Sequence, residues 1–371
     1  MGNIMKKLFL SLLSFFLAIT ILEITLRIKD FVLETSTQQI SKTTKENYKI
    51  KYECQPYLLW RGTPNQNAET FATNSNGLRG EKFSKEKKDQ TYRIILLGGS
   101  AAWGYGSSSN ETSLSYKVEK YLKTEEKDLR KKIEIYNFSE NGYNSTQELI
   151  LWREILEYHP DLIIQFTGYN DVYTGFLKQK AGWNHPFIKE DILIEDNLNT
   201  IKELLKIEGK KLLNKSRLFT SINHKTILVD NSDHNESKKY TDTDKVANLF
   251  SDNISLSNQL AISNNIPLLI IIQPMIFDEQ KNITGQEKDI IENFDQDYPE
   301  AIVYFKEAYK QIKTRLDENK IQYFDGIDFF KDKKENIYVD PVHYNDIGQD
   351  FAAFEIANII KEQTFKTTNI E

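Results

Sequence analysis

Short, continuous apolar runs recur along the chain from residue 93 onward, and turn-forming or polar residues bound each of them. In chain order they are Arg93–Leu97, Ile133–Phe138, Leu162–Thr167, Ile266–Gln273 and Ile321–Asp325. Runs of this length that are rich in β-branched residues are typical of strands buried on both faces of a sheet. The pattern therefore predicts five strands of one parallel sheet.

Segments with the apolar spacing of helices lie between or after these runs. They predict helices at Leu114–Leu122, Gln147–Tyr158, Val246–Asn264, Ala301–Leu316 and Ile347–Ile360. Alternation of strands and helices favours an α/β fold in which helices cover both faces of a parallel sheet. The stretch from about 173 to 245 breaks this alternation, because it is polar, poor in strand signals and too long for a plain connection. It is interpreted as a cap-like insertion.

The N-terminal region carries a hydrophobic segment of membrane-spanning character. Lys6 and Lys7 precede fifteen uncharged residues, Leu8–Leu22, and the apolar character continues past Glu23 to about 19 residues in all. A spanning helix needs about 20 such residues. The residues after Leu22 make a poor cleavage site, so an uncleaved anchor within residues 1–34 is favoured over secretion after signal cleavage. The lysines before the span predict that the rest of the chain faces outside the cytoplasm.

Composition narrows the classes of function. The 371 residues include 48 Lys and Arg against 54 Asp and Glu, a net charge of −6, so the clustered basic excess of a nucleic-acid-binding protein is lacking. The single cysteine, Cys54, excludes an intramolecular disulfide framework, and the five histidines have no metal-ligand spacing. No metal or cofactor is therefore indicated.

The residues that follow the predicted strands are the candidates for chemistry, because ligands of open parallel sheets bind beyond the carboxyl ends of the strands. The first strand ends in Gly98-Gly99-Ser100. A serine there can stand clear of the sheet at a helix N-terminus, which favours developing negative charge. The same tripeptide is compatible with a simple turn, whereas a phosphate-binding loop is disfavoured because the glycine spacing does not fit.

Four further candidate residues follow later strands. Gly142 comes after the second strand and can offer a backbone N–H to a substrate. Asn170 comes after the third, where its amide can donate to an oxyanion or cap the next helix. Asp340 and His343 come after the fifth, three positions apart, so that the carboxylate can hold the imidazole in the tautomer that a general base needs.

These motifs, in this order, resemble those of the SGNH (GDSL-type) hydrolase superfamily. The resemblance runs from about Arg93 to Ile360, and Thr73–Gly80 is similar to a segment that precedes the catalytic serine in membrane-anchored bacterial members. It implies a flavodoxin-like three-layer hydrolase domain at residues 93–365. Before that domain, the polar residues 35–56 are typical of a stalk, and the aromatics, Pro64 and Gly77 of residues 57–92 indicate irregular structure or short strands. Two positions depart from the family pattern: Gly-Gly-Ser-Ala replaces Gly-Asp-Ser-Leu, and Ser139 stands where many members have glycine.

The resemblance also implies a role for each site residue. Ser100 is the nucleophile, His343 is the base that takes its proton, and Asp340 orients His343. The N–H groups of Ser100 and Gly142 and the side chain of Asn170 form the oxyanion hole. The implied reaction is a two-step acyl transfer through an acyl group on Ser100.

The resulting prediction is an extracytoplasmic serine esterase, held at the bacterial cytoplasmic membrane by its N-terminal helix. Its expected substrate is an acylated carbohydrate or small ester, and the leading reaction is removal of acetyl or other small acyl groups from cell-surface carbohydrate. Two alternatives stay open. One is an O-acyltransferase of the same fold that modifies envelope polysaccharide, and the other is a non-catalytic carbohydrate-binding protein.

Overall fold

A computed structural model of the chain describes residues 50–182 and 242–365, except residues 82, 126, 128, 129, 278 and 279, together with Thr20. Apart from Thr20, the predicted anchor at residues 1–34 lies outside the described residues. In the described part, no helix is both long enough and apolar enough to cross a bilayer. The anchor therefore stays a prediction from the sequence.

The described residues contain strands and helices in the following order along the chain. The strands are β1 (Tyr52–Gln55), β2 (Leu59–Gly62), β3 (Thr91–Gly98), β4 (Lys132–Asn137), β5 (Leu162–Thr167), β6 (Leu268–Ile272) and β7 (Phe324–Asp325). The helices are α1 (Ser100–Trp103), α2 (Leu114–Leu122), α3 (Ser145–Ile155), α4 (Tyr169–Lys178), α5 (Thr243–Ser263), α6 (Gly285–Asp297), α7 (Ala301–Glu318) and α8 (Asp346–Ile360). Single 3₁₀ turns at Lys123–Glu125, Leu156–Tyr158 and Gly326–Phe330, and a π-helical turn at Lys361–Phe365, complete them.

Strands β3 to β7 form one parallel sheet in the order β4-β3-β5-β6-β7. This is the flavodoxin-like order, in which the first strand of the sheet lies between the second and the third. The prediction of an α/β fold with a five-stranded parallel sheet is confirmed. The direction of the strand order reverses at β3, and ligands of open sheets bind in the crevice at such a reversal.

The five strands and five helices predicted from residue 93 onward are all found, and their ends differ by a few residues. Strand β5 and helix α2 have the predicted bounds, whereas β7 contains two residues instead of five. It is short because this edge strand pairs with β6 only through Phe324 and Asp325. Helices α1, α4 and α6 were not predicted.

The predicted insertion at about 173–245 begins and ends in helices. Residues 173–178 continue α4, and residues 243–245 begin α5. The stretch from residue 183 to residue 241 lies outside the described residues. An insertion in that stretch stays a prediction.

Buried apolar side chains form a cluster on each face of the sheet. Along β3, Ile94 and Leu96 belong to one cluster and Ile95 and Leu97 to the other, which is the two-residue period of a strand. The first cluster includes residues of α2, α7 and α8, and the second includes residues of α3. Helices therefore cover both faces, and the sheet lies in the middle of three layers.

The residues before β3 are packed against this α/β body from residue 50 onward. Strands β1 and β2 form an antiparallel hairpin, and Trp60 of β2 is fully buried in the same cluster as Leu151 and Trp152 of α3. The sequence predicted a stalk at residues 35–56 and irregular structure or short strands at residues 57–92. Strand β2 is such a short strand, and β1 lies within the range of the predicted stalk. The hairpin adds to the hydrophobic core, because Leu58 and Trp60 bury their side chains there.

Candidate active site

Ser100 begins helix α1, directly after β3, at the carboxyl edge of the sheet. The turn before it needs two glycines. A Cβ on Gly98 would lie 2.3 Å from the carbonyl oxygen of Phe166, and one on Gly99 would lie 2.4 Å from Nδ2 of Asn170. The glycine pair therefore lets β5 and Asn170 closely approach the backbone just before Ser100. A simple turn would not require this close approach.

The imidazole of His343 lies between Ser100 and Asp340. Its Nε2 is 2.6 Å from Oγ of Ser100, and its Nδ1 is 2.5 Å from Oδ2 of Asp340. The other carboxylate oxygen, Oδ1, accepts hydrogen bonds from the backbone N–H groups of Val342 and His343, at 3.0 and 2.9 Å. This arrangement fixes one ring nitrogen on the carboxylate and the other on the hydroxyl, as base catalysis by histidine requires.

The carboxyl group of Asp340 stays ionised in this setting. Burial acts to raise the pKa of Asp340, but the charge of His343 and the hydrogen bonds from its ring and from two backbone N–H groups outweigh burial and hold the pKa below its ordinary value. An ionised Asp340 can stabilise the imidazolium that forms when His343 takes a proton.

Three residues at this edge of the sheet offer an N–H donor. Within the described part of the chain, the N–H groups of Ser100 and Gly142 have no acceptor, and Gly142 adopts a positive φ of 79°. The side chain of Asn170 donates one N–H to the carbonyl oxygen of Tyr143, at 2.7 Å, and keeps a second N–H on the same nitrogen. Asn170 is in the first turn of α4, whose N-cap is Gly168, so it does not cap the helix.

The structure thus brings together all five residues that the sequence singled out. Ser100, Asp340 and His343 form a hydrogen-bonded chain, and Gly142 and Asn170 come from neighbouring loops at the same sheet edge. Among the described residues, no three His, Cys, Asp or Glu side chains are grouped so as to hold a metal ion.

The turn that carries Gly142 is held by the N-terminal hairpin. Nε1 of Trp60 donates to the carbonyl oxygen of Asn141 at 2.9 Å, and the hydroxyl of Tyr143 donates to the carbonyl oxygen of Trp60 at 2.5 Å. The N–H of Gly62 donates to the carboxylate of Glu140 at 2.8 Å. Burial raises the pKa of Glu140 to about 7. Sequence periodicity gave no sign of these contacts, which join segments about 80 residues apart.

The loop that follows α1 is held by Arg79, which lies in the segment Thr73–Gly80. This guanidinium is 3% exposed and donates to the carbonyl oxygens of Gly104, at 2.7 Å, and Ser109, at 2.8 Å. It also lies over the ring of Trp103, 4.5 Å from the centroid. Burial lowers the pKa of Arg79 to about 9. Arg79 therefore fixes both ends of the loop beside Ser100.

The loop that carries Asp340 and His343 is held by helix α6. Oε1 of Glu287 accepts hydrogen bonds from the backbone N–H groups of Ile337 and Tyr338, at 2.9 and 3.2 Å. Oε2 of the same carboxylate accepts from Nζ of the buried Lys281 at 2.7 Å. Burial acts to raise the pKa of Glu287, but these hydrogen bonds hold it below its ordinary value.

A buried polar network lies under the Asn170 motif. Asp171 accepts hydrogen bonds from the backbone N–H and the hydroxyl of Ser145, at 3.0 and 2.5 Å, and so fixes the start of α3. Nearby, Glu148 accepts from the side chains of Gln165 and Thr167, each at 2.8 Å. Burial raises the pKa of Asp171 to about 6, and burial together with the charge of Asp171 raises that of Glu148 to about 8.

No protein-family model matches the chain, and no curated protein sequence matches it. Among solved structures it is similar to an acetyl xylan esterase, with 16% identity, a TM-score of 0.41, and coverage of 72% of this chain and 99% of the other. It is also similar to a GDSL-like lipase from Bacteroides thetaiotaomicron, with 12% identity, a TM-score of 0.37, and coverage of 76% and 92%. A lipase/acylhydrolase from Enterococcus faecalis gives 14% identity, a TM-score of 0.39, and coverage of 74% and 97%.

Proposed function

We propose that the chain is an extracytoplasmic serine ester hydrolase of the SGNH (GDSL) type. The observation that carries the proposal is the hydrogen-bonded chain from Ser100 through His343 to Asp340. A nucleophile, a base oriented by a carboxylate, and donors for a developing oxyanion are the parts that acyl transfer requires.

The chemistry follows from these positions. Oγ of Ser100 attacks the ester carbonyl while Nε2 of His343 takes the hydroxyl proton. The N–H groups of Ser100 and Gly142 and the free N–H of Asn170 stabilise the oxyanion of the tetrahedral intermediate. The intermediate collapses as His343 returns the proton to the leaving alcohol. Water, deprotonated by His343, then attacks the acyl group on Ser100. The acid leaves as the imidazolium of His343 returns the proton to Oγ of Ser100.

The proposed substrate is an acetyl or other small acyl ester of cell-surface carbohydrate. The proposal is supported by the uncharged run Leu8–Leu22 behind two lysines, which predicts a membrane anchor with the rest of the chain outside. It is also supported by the likeness of Thr73–Gly80 to a segment of membrane-anchored SGNH proteins. Arg79 of that segment holds the loop beside Ser100.

A panel of p-nitrophenyl esters from acetate to palmitate tests the reaction and the acyl length, with the chain beginning near Thr35. Hydrolysis is expected to be fastest with acetate or another short acyl group. A serine-reactive fluorophosphonate is expected to label the wild type and the control variant Ser255→Ala, but not Ser100→Ala. The absence of labelling at Ser100 would favour the carbohydrate-binding alternative. Acyl transfer that requires an added sugar acceptor would favour the transferase.

A further inference from the structure

An exposed aromatic ring touches the imidazole of the site. Tyr105 lies in the loop between α1 and α2, and its ring centroid is 4.4 Å from that of His343, with the ring planes at 45°. The side chain keeps 44% of its surface exposed. Burial of the remainder and the nearby charge of Asp340 raise the pKa of its hydroxyl, so the ring carries a neutral phenol.

The backbone around Tyr105 is tied down on both sides. Arg79 holds the carbonyl oxygens that flank the loop, as described above. Asp346, at the start of α8, accepts hydrogen bonds from the N–H and the hydroxyl of Ser108, at 2.8 and 2.5 Å. Nε2 of Gln349 donates to the carbonyl oxygen of Tyr105 at 3.3 Å. A ring presented on a fixed backbone loses little entropy when it binds a ligand.

A second exposed apolar side chain lies beside this loop. Val339 is 45% exposed, and its N–H donates to the carbonyl oxygen of His343 at 3.0 Å. Its Cγ2 is 3.2 Å from the place where a Cβ of Gly106 would stand, so it adjoins the residue after Tyr105. Tyr105 and Val339 therefore form an apolar rim next to His343.

The direction of the proton transfers determines which part of the substrate contacts this rim. The carbonyl oxygen of the ester turns toward the oxyanion donors of Gly142 and Asn170. The oxygen of the leaving alcohol must come within reach of Nε2 of His343, because the imidazolium protonates it. The alcohol part of the ester therefore lies on the histidine side of Ser100, where Tyr105 is.

We infer that Tyr105 determines specificity for the alcohol part of the substrate, its ring stacking against the apolar face of a sugar ring. The inference rests on the proposed function and adds the contact that selects a carbohydrate ester over an ester of a small alcohol. Aromatic faces pack against apolar surfaces, and a pyranose presents such a surface through its C–H groups.

The test compares Tyr105→Ala with the wild type on two acetates, an O-acetylated methyl glucoside and ethyl acetate. The variant is expected to lose about five- to tenfold in kcat/KM on the sugar ester, mainly through a higher KM, and less than twofold on ethyl acetate. Tyr105→Phe keeps the ring and should retain wild-type values on both. Tyr116→Ala removes a tyrosine of similar exposure, 46%, from α2 and should change neither substrate.

Three outcomes would overturn the inference. Equal losses on both acetates would mean that Tyr105 acts on His343 and not on the alcohol. Unchanged kinetics on both would mean that the ring does not touch the substrate. A wild type that hydrolyses ethyl acetate but no sugar acetate would refute the sugar contact while leaving the esterase intact. Failure on every ester, without fluorophosphonate labelling of Ser100, would instead refute the proposed function itself.

Discussion

Charged side chains that lie beneath the site hold the loops that form it. Arg79 holds the loop after Ser100, Glu140 and Asp171 hold the segment around Gly142, and Glu287 holds the loop of His343. Burying a charge is costly unless hydrogen bonds compensate it, and each of these groups makes at least two. The side chains of these four residues therefore serve to hold the geometry of the site.

The hydrogen-bonded chain of Ser100, His343 and Asp340 predicts strongly non-additive substitutions. Ser100→Ala, His343→Ala and the double variant should each lose a similar, large part of kcat on a p-nitrophenyl ester, because one catalytic unit fails in all three. Circular dichroism should show unchanged folding, because both side chains lie at the carboxyl edge of the sheet and not in its hydrophobic core. Losses that multiply in the double variant would contradict a shared role.

Glu148 predicts a pH dependence of stability. Its folded pKa of about 8 lies above its ordinary value because of burial and the charge of Asp171. The folded state therefore binds a proton that the unfolded state releases, so this contribution is complete at acidic pH and is lost as pH rises through about 8. The free energy of unfolding of the wild type should fall relative to that of Glu148→Gln as pH rises, as measured by urea titrations.

Asp171 remains in both proteins, so the difference between them isolates Glu148. The glutamine can still accept from Thr167, and Gln165 can turn its unpaired Oε1 toward the new amide. A difference in unfolding free energy that stays constant from pH 5 to 9 would show that Glu148 does not titrate in this range.

At the level of elements, the hairpin of β1 and β2 should support catalysis from outside the sheet. Glu140→Gln places an amide where the carboxylate accepts from Gly62 and Asn141. The turn that carries Gly142 should shift, and kcat should fall by roughly ten- to a hundredfold, with KM little changed. Steady-state kinetics on an acetate ester measure the effect.

Glu154→Gln is the matched control for this change. Glu154 pairs with Arg61 of the same hairpin at 2.7 Å. This pair anchors the hairpin to α3 and not to the turn that carries Gly142. Its loss leaves the buried Arg61 without its carboxylate partner, so stability should fall while kcat stays unchanged. Equal kinetic losses in the two variants would mean that the hairpin affects the site only through overall stability.

The sequence predicted the sheet because its strands are continuous apolar runs, and it predicted the site because strand ends in a parallel sheet meet at one edge. Strand β1 was not predicted, because Tyr52–Gln55 is only partly buried along its length and its apolar residues show no periodic spacing. Helix α6 has few apolar residues, although Thr284 and Glu287 form a capping box that marks its start. The roles of Arg79 and Tyr105 could not be predicted from the sequence, because their partners lie in loops that are distant along the chain.

For the molecule as a whole, the anchor predicted in residues 8–26 would determine where the proposed esterase acts. The full chain should need detergent for release from membranes, because about 19 largely apolar residues follow two lysines. A chain beginning near Thr35 should be soluble and equally active on small esters, as measured by fractionation and p-nitrophenyl acetate hydrolysis. Recovery of a mature protein whose N-terminus maps between Leu22 and Ser41 would make it a secreted enzyme instead.

The serine and the histidine of the site are separated by 243 positions in the chain. During synthesis Ser100 emerges long before its base does, and an isolated serine hydroxyl is a weak nucleophile at neutral pH. We therefore expect the chain to be inert toward esters until the loop before α8 reaches its place. Contacts between such distant positions close slowly. In refolding experiments, the return of ester hydrolysis would mark the arrival of the C-terminal elements, later than the return of the helical signal.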